Sequence, residues 1–464
     1  MLPVVAIVGR PNVGKSTLFN HITGTRAALV ADMPGLTRDR QYGTVRAFDS
    51  PFVVIDTGGV GESRDEMALL VDSQAAAAIE EADHILFLVD GRSGALPADR
   101  ELAARLRRFG KPITLAVNKT DGVDIQTAQS DFFELSLGEP FPIAASHGRG
   151  VRQLLQDIYE SLPQPASDGE VEAHQGVRIA FVGKPNAGKS TLVNQLLGEE
   201  RVLTHSVPGT TRDSVFIPFQ RRGRDYVLID TAGVRRRARV TETIEKFSVV
   251  KTLQAIESAN VVVYMLDAME GFTDHDAHLL GHCLDAGRGL VIALNKWDLT
   301  DSESRRPIIS ELERRLRFFD YARTHHISAQ AGTGIAKLLV SVDKAWAAAS
   351  RDLPTPVLTR VLNEAVERHA PPLVKGRRVK LRYAHQGGTN PPRIVIHGNQ
   401  TEYVPDSYTR YLSKVFVEAF RLEGTPVRVE YKRGDNPFKD KRNPLTERQV
   451  KKRRRLMRHV KRRR

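Results

Sequence analysis

The chain has 464 residues, 41% of them hydrophobic and 27% charged, with one cysteine, Cys283. That length exceeds one ordinary core and suggests about three domains, the composition excludes a disordered chain, and a lone cysteine excludes an internal disulfide. The net charge of +14 is uneven: Lys441 to Arg464 carry 13 Lys/Arg against Glu447, so a nearly neutral body ends in a basic tail over residues 441–464.

The chain opens with MLPVVAIVGR, which has no basic region followed by a cleavable apolar run, so no secretory leader is expected. No stretch of about 18 apolar residues appears, so no membrane span is expected either, and the expected compartment is the cytoplasm. Short Val/Ile/Leu-rich runs then alternate with helical stretches. PVVAIVG, FVVID, HILFLVD, PITLAVN and FPIAA read as strands, and MALLVDSQAAAAIEEA reads as a helix. The runs are apolar on both alternations, as strands buried on both faces should be. The polar segment PQPASDGEVEAHQ (163–175) reads as a linker. After it the pattern repeats in VRIAFVG, YVLID, VVVYMLD, LVIALN and THHIS, with ETIEKFSVVKTLQAIESA helical. The fold class is α/β, with two mostly parallel sheets, each with helices on both faces. Beyond RDLPTP the texture changes. TRVLNEAVERH and DSYTRYLSKVFVEAF read as helices, and RVKLRYAHQ, RIVIHGN and PVRVEYK as strands, which makes a small α+β domain. The expected division is 1–162, the linker 163–175, then 176–350, 351–440 and the tail 441–464.

The two α/β halves are one sequence written twice. GRPNVGKS (9–16) matches GKPNAGKS (183–190) at an offset of 174, as do PGLTRD and PGTTRD, and DTGGV and DTAGV. NKTD (118–121) matches NKWD (295–298) at an offset of 177. GxxxxGK[ST] is a P-loop: its glycines let backbone N–H groups turn onto phosphate oxygens, with a helix N-terminus behind them. Gly9, Arg10, Pro11, Asn12, Val13, Gly14, Lys15, Ser16 and Thr17 form the first cradle. Gly183, Lys184, Pro185, Asn186, Ala187, Gly188, Lys189, Ser190 and Thr191 form the second. Lys15 and Lys189 are expected at the β- and γ-phosphates as catalytic residues. Ser16 and Ser190 are expected on Mg²⁺.

Asp56, Thr57, Gly58, Gly59 and Val60 end one strand, and Asp230, Thr231, Ala232, Gly233 and Val234 end its partner. Asp56 and Asp230 are expected to hold Mg²⁺ through water, and Gly59 and Gly233 to donate a backbone N–H to the γ-phosphate. Thr37 and Thr211, in matched polar loops, are expected to close over the metal as catalytic groups. In NKxD, Asn118, Lys119, Thr120 and Asp121, and likewise Asn295, Lys296, Trp297 and Asp298, select guanine. A carboxylate, Asp121 or Asp298, accepts from N1–H and from the exocyclic amine. Losing such bonds costs about 1.5–3 kcal/mol each, so roughly 100-fold discrimination against adenine is available. The asparagines are expected to tie NKxD to the P-loop, and the lysines to lay their stems over the base. The backbone N–H of Ala145 in IAASHG, and of Ala329 in ISAQAG, is expected near the base oxygen, the first loop carrying Ala144 where the second carries Ser328.

On these motifs the chain closely resembles the Der (EngA) family over essentially its full length. The duplicated GxPNxGKS, PGxTRD, DTxG and NKxD carry the resemblance, with EKFSV (245–249) and SYTRYL (407–412) beside them. The resemblance implies two tandem Ras/Era-like G domains and a KH-like C-terminal domain. It implies GTP binding and hydrolysis, a role in maturation of the large ribosomal subunit, and contact with ribosomal RNA. It also implies a potassium ion on the P-loop asparagines, Asn12 and Asn186. The positions after DxxG are Val60 and Val234, where many small GTPases place a water-orienting glutamine, so unaided hydrolysis is expected to be slow. RRRAR (235–239) is either a solvated basic segment or a mobile switch. No GxxG occurs between 351 and 440, so the KH-like likeness does not by itself bring KH-type RNA binding. The basic tail is expected on RNA phosphates, and the chain is expected to act as a monomer. A tRNA-modification GTPase fits less well, since that family has one G domain and a C-terminal cysteine while this chain ends KRRR. A nucleotide-gated RNA scaffold with incidental hydrolysis is the other alternative.

Overall fold

The computed structural model describes residues 2–23, 29–30, 41–48, 50–57, 73–122, 124–163, 176–198, 216–229, 249–374 and 377–433. Thr37, Gly58, Gly59, Val60, Thr211, Asp230, Thr231, Ala232, Gly233, Val234, RRRAR and the basic tail lie outside the described residues, as does all of the linker but Pro163.

The first half runs β1 (Val4–Val8), α1 (Lys15–Thr23), β2 (Leu29–Val30), β3 (Gln41–Val45), β4 (Phe52–Asp56), α2 (Ser73–Glu81), β5 (His84–Asp90), α3 (Pro97–Arg107), β6 (Ile113–Asn118), α4 (Ile125–Ser130), β7 (Phe141–Pro142) and α5 (Val151–Ser161). Its sheet order is β2-β3-β4-β1-β5-β6-β7. β1 pairs in parallel with both β4 and β5, and only β2–β3 and β3–β4 are antiparallel. FPIAA forms a strand only at Phe141–Pro142; Ala145 instead begins a short 3₁₀ turn.

The second half repeats the plan with β8 (Val177–Gly183), α6 (Lys189–Gly198), β9 (Phe216–Arg221), β10 (Arg224–Ile229), α7 (Val249–Ser258), β11 (Val261–Asp267), α8 (Asp274–Ala286), β12 (Gly289–Asn295), α9 (Ser302–Arg315), β13 (Arg323–His326) and α10 (Ile335–Ala349). Its order is β13-β12-β11-β8-β10-β9. In each sheet the order reverses at the central strand that leads into a P-loop. That switch point, at the strands' carboxyl ends, is where such sheets bind ligands. Every residue of β1 and of β11 is buried, which is why these strands are apolar throughout.

α7 is shared. By sequence it belongs to the second half, yet Val249, Val250 and Leu253 sit in one buried cluster with Val4, Tyr42, Val53, Ile55 and Ile79 of the first. Gln254 donates to the Leu2 carbonyl (2.7 Å), and Glu257 pairs with Arg46.

The chain divides into two compact units. One holds both halves with residues 389–392 and 420–427; the other holds most of the remainder from 352 onward. The second unit contains α11 (Thr355–Arg368), β14 (Leu373–Val374), β15 (Arg377–Arg378), β16 (Lys380–Gly388), β17 (Arg393–Asn399), most of α12 (Asp406–Phe420) and β18 (Arg428–Arg433). β16 and β17 are antiparallel, and β17 and β18 parallel. Ala384, Ile394, Ile396, Leu412 and Phe416 are all buried.

Candidate functional site

Each P-loop joins a buried central strand to a helix that begins at its lysine, α1 at Lys15 and α6 at Lys189. The first-turn N–H groups of those helices therefore face the loop's concave side. Asn12 and Asn186 both adopt the left-handed region, at φ 64° and 63°. Asparagine tolerates that region better than most residues, so the loop shape itself accounts for part of the choice. A Cβ on Gly14 would lie 2.4 Å from Asn118 Nδ2, and one on Gly188 would lie 2.1 Å from Asn295 Nδ2. Glycine is thus what lets the NKxD asparagine close on the cradle.

That closure is the same in both halves. Asn118 Nδ2 donates to the Val13 carbonyl at 2.8 Å, and Asn295 Nδ2 to the Ala187 carbonyl at 2.8 Å. Their Oδ1 atoms accept from the Ala145 and Ala329 N–H groups, each at 2.9 Å. One buried amide therefore fastens three loops together. It also engages the two backbone amides expected near the base, so a base oxygen there would share each amide with its asparagine. The lysines of NKxD are tied as well. Lys119 Nζ donates to Asn12 O and to Asp90, each at 2.7 Å, and Lys296 pairs with Asp267 at 2.6 Å. Both lysines hold positive φ, 64° and 60°, the same backbone strain in each copy.

Lys15 Nζ donates to the Gly9 and Arg10 carbonyls, and Lys189 Nζ to those of Gly183 and Lys184. Burial, the largest influence, pulls the Lys15 pKa below the ordinary lysine value; Asp56 opposes this and Arg10 adds to it. Ser16 Oγ donates to Asp56 at 2.8 Å, and Asp56 is fully buried. A hydroxyl and a carboxylate side by side make a hard oxygen donor set, which fits Mg²⁺ with waters completing the shell. Thr57 Oγ1 donates to the Ile7 carbonyl and Thr120 Oγ1 to that of Ile143, each at 2.8 Å, so these two motif threonines pin strand ends. Pro11 and Pro185 in the P-loops, and Thr17 and Thr191 in the first turns of α1 and α6, are at least partly exposed.

Two ion-pair patterns were not foreseen. Arg10 pairs with Asp99 at 2.6 Å, and its counterpart Lys184 with Asp276 at 3.1 Å. Both acids are buried and also accept at the helix start, Asp99 from Leu96 N–H and Asp276 from Thr273. The offset of 177 between Asp99 and Asp276 was visible in the sequence, but nothing local says a helix-start acid meets a P-loop cation. The second pattern is one-sided. Arg92 pairs with Asp121 at 2.5 Å, whereas the matching residue of the second half is Met269, 61% exposed. There Trp297 stacks on His326, ring centres 4.2 Å apart, with the Arg305 guanidinium over the Trp297 ring at 5.2 Å. Ala144 does differ from Ser328 in effect: Ser328 Oγ accepts from the Ala331 N–H at 3.2 Å, a bond an alanine cannot make.

A family described as "50S ribosome-binding GTPase" matches residues 4–119 and again 178–296. One described as "KH-domain-like of EngA bacterial GTPase enzymes, C-terminal" matches 353–432. A protein of Thioalkalivibrio sulfidiphilus named GTPase Der is 57% identical over 462 residues, covering 99% of this chain and 100% of the relative. The GTPase Der of Methylococcus capsulatus is 53% identical over 463 residues, covering 100% of both. Two GTPase-family matches, a KH-like match and full-length relatives leave one conclusion: the chain belongs to the GTPase Der family, enzymes that hydrolyse GTP to GDP and phosphate.

Proposed function

We propose that this GTPase is an assembly factor of the large ribosomal subunit, acting in the cytoplasm as a monomer, with guanine nucleotide loading in both halves. The observation that carries the double loading is the repeated asparagine latch, 2.8 Å from cradle carbonyl to NKxD amide in each copy. The ribosomal reading is supported by the printed description of the matching family and by a tail of net charge +12 suited to RNA phosphates.

In this reading the P-loop N–H groups and Lys15 or Lys189 take the phosphates. Ser16 and Asp56, and Ser190 and Asp230, hold Mg²⁺, with Thr37 and Thr211 closing over it. When bound, the metal neutralises charge on the β- and γ-phosphate oxygens. Asp121 and Asp298 read the guanine edge. Lys15, depressed in pKa by burial, regains its proton's stability as polyphosphate arrives. Asn12 and Asn186, exposed on left-handed backbone, would hold K⁺, which would supply positive charge beside the phosphates, while Val60 and Val234 cannot orient the attacking water. GTP turnover is then expected to rise several-fold in K⁺ over Na⁺ at equal ionic strength; equal rates would remove the ion from the reading. The ribosomal role is tested by co-sedimentation with ribosomal subunits in GTP-analogue, GDP and nucleotide-free states. Binding to the large subunit that changes with nucleotide supports it, and identical binding in all three states refutes it.

A further inference from the structure

The three-stranded sheet of the second unit has two different faces. On one, Ala384, Ile394 and Ile396 are buried, Thr359 of α11 bonds the Ala384 backbone, and Tyr431 meets Thr409 of α12. The register sets the other. Tyr383 lies opposite His397 and His385 opposite Val395, while His397, Val395 and Arg393 lie beside Lys432, Glu430 and Arg428.

Three rings gather on this second face. Tyr383 stacks on His397 with centres 4.4 Å apart and planes 6° from parallel, and His385 lies 5.1 Å from His397. Tyr383 is 43% exposed, while Val395 beside the rings is 3% exposed. His397 Nε2 is buried without a hydrogen-bond partner. Burial, then His385 and Lys432, holds the His397 pKa below the ordinary imidazole value. Among the described residues of these strands, Lys380, Arg393, Arg428 and Lys432 share the face with one acid, Glu430, which lies 3.7 Å from Arg393.

The geometry points to this face as a platform for single-stranded RNA, on which a base stacks against Tyr383 and His397 while the surrounding cations take phosphates. The exposed part of this face joins stacked rings to an excess of cations, two of them lysines, which suits a polyanion with stacking bases better than a peptide. Residues 351–440 lack the GxxG with which KH folds clamp a backbone, so base contact here is assigned to the ring-bearing face instead. The inference rests on the RNA-binding part of the proposed function.

The test uses the full-length chain and a labelled ten-nucleotide oligo(rU) or oligo(rA), read by fluorescence anisotropy at about 0.3 M salt, where purely ionic attraction is weakened. Tyr383→Ala is expected to weaken single-strand binding about tenfold or more, and Tyr383→Phe to retain it. His385→Ala, at the margin of the stack, gives a smaller loss. Binding of a fully paired RNA duplex, basal GTP turnover and the melting temperature stay unchanged. Wild-type single-strand affinity in Tyr383→Ala overturns the proposal, as does an equal loss for single strand and duplex. If Tyr383→Ala loses large-subunit co-sedimentation but keeps the oligonucleotides, the face takes a protein, and the ribosomal reading survives without this one. If the oligonucleotides are lost and no subunit binds in any state, the platform stands and the ribosomal reading falls.

Discussion

Asn118 and Asn295 each hold a backbone carbonyl of one loop and a backbone N–H of another, with the side chain 3% exposed. Replacing Asn295 with alanine strands both groups away from water, at about 1–3 kcal/mol apiece. Asn295→Ala is therefore expected to weaken guanine-nucleotide binding at the second site at least about tenfold and to leave the first site alone. A fluorescent-GDP titration resolving the two sites checks this. The Arg92–Asp121 pair gives the carboxylate proposed to read the base in the first half a partner that Met269 cannot provide. Both members are partly exposed, so the pair itself is weak. Its consequence is a first-site affinity for GDP that depends more on salt than the second, and Arg92→Met is expected to bring the two salt responses together. His282 on α8 gives a pH prediction. Burial, chiefly, with Arg46 and His278 beside it, lowers its pKa to about 4. The unfolded chain, at about 6.5, takes the proton first. Stability from the neutral ring is full above about pH 6.5 and is lost as pH falls toward about 4. The melting temperature of the wild type should thus drop more between pH 7 and pH 5 than that of His282→Gln.

At the scale of elements, the parallel strands of both halves, the P-loop helices and the longer elements of the third domain were legible because each rests on local pattern: apolar runs, a Gly-rich loop before a helix, a repeat at near-constant offset; the antiparallel β2, β3 and β9 and the short β14 and β15, which lack a continuous apolar run, were not. The glycine-rich loops ahead of α1 and α6 and the NKxD segments were legible from local pattern too. What local pattern could not carry was contact across the sequence. Arg10 meets Asp99 across 89 residues, and the acid already has a local task as the cap of α3. Nothing in the sequence marks the second task. Removing the charge leaves a half-buried guanidinium unpaired, which is costly in a way that losing an exposed pair is not. Asp99→Asn should lower the melting temperature and weaken nucleotide binding at the first site, because α3 then releases the P-loop; Asp276→Asn should do the same at the second. Calorimetric melts with and without GDP separate the two effects.

For the molecule as a whole, the two halves of one unit are joined through α7. The helix follows the second half's DTAGV and the basic RRRAR in sequence, while Val249, Val250 and Leu253 are buried with first-half strands. Leu253→Ala is expected to cost about 2–5 kcal/mol. The loss should appear as faster amide exchange in β1 and β4, strands of the other half, which is the measurement that distinguishes it from a local effect. Deleting residues 441–464 should make the salt dependence of RNA binding shallower while GTP turnover without RNA stays as it was.

The seating of α7 also bears on how the protein can be taken apart. A fragment ending near residue 162 would keep its P-loop and its NKxD but leave bare the apolar strip that Val249, Val250 and Leu253 cover. Such a piece would be sticky, inclined to self-associate or to sit poorly on its own, and its nucleotide affinity would describe a damaged object. A faithful half-molecule has to carry the borrowed helix with it, supplied in trans as a peptide or grafted on by a short tether.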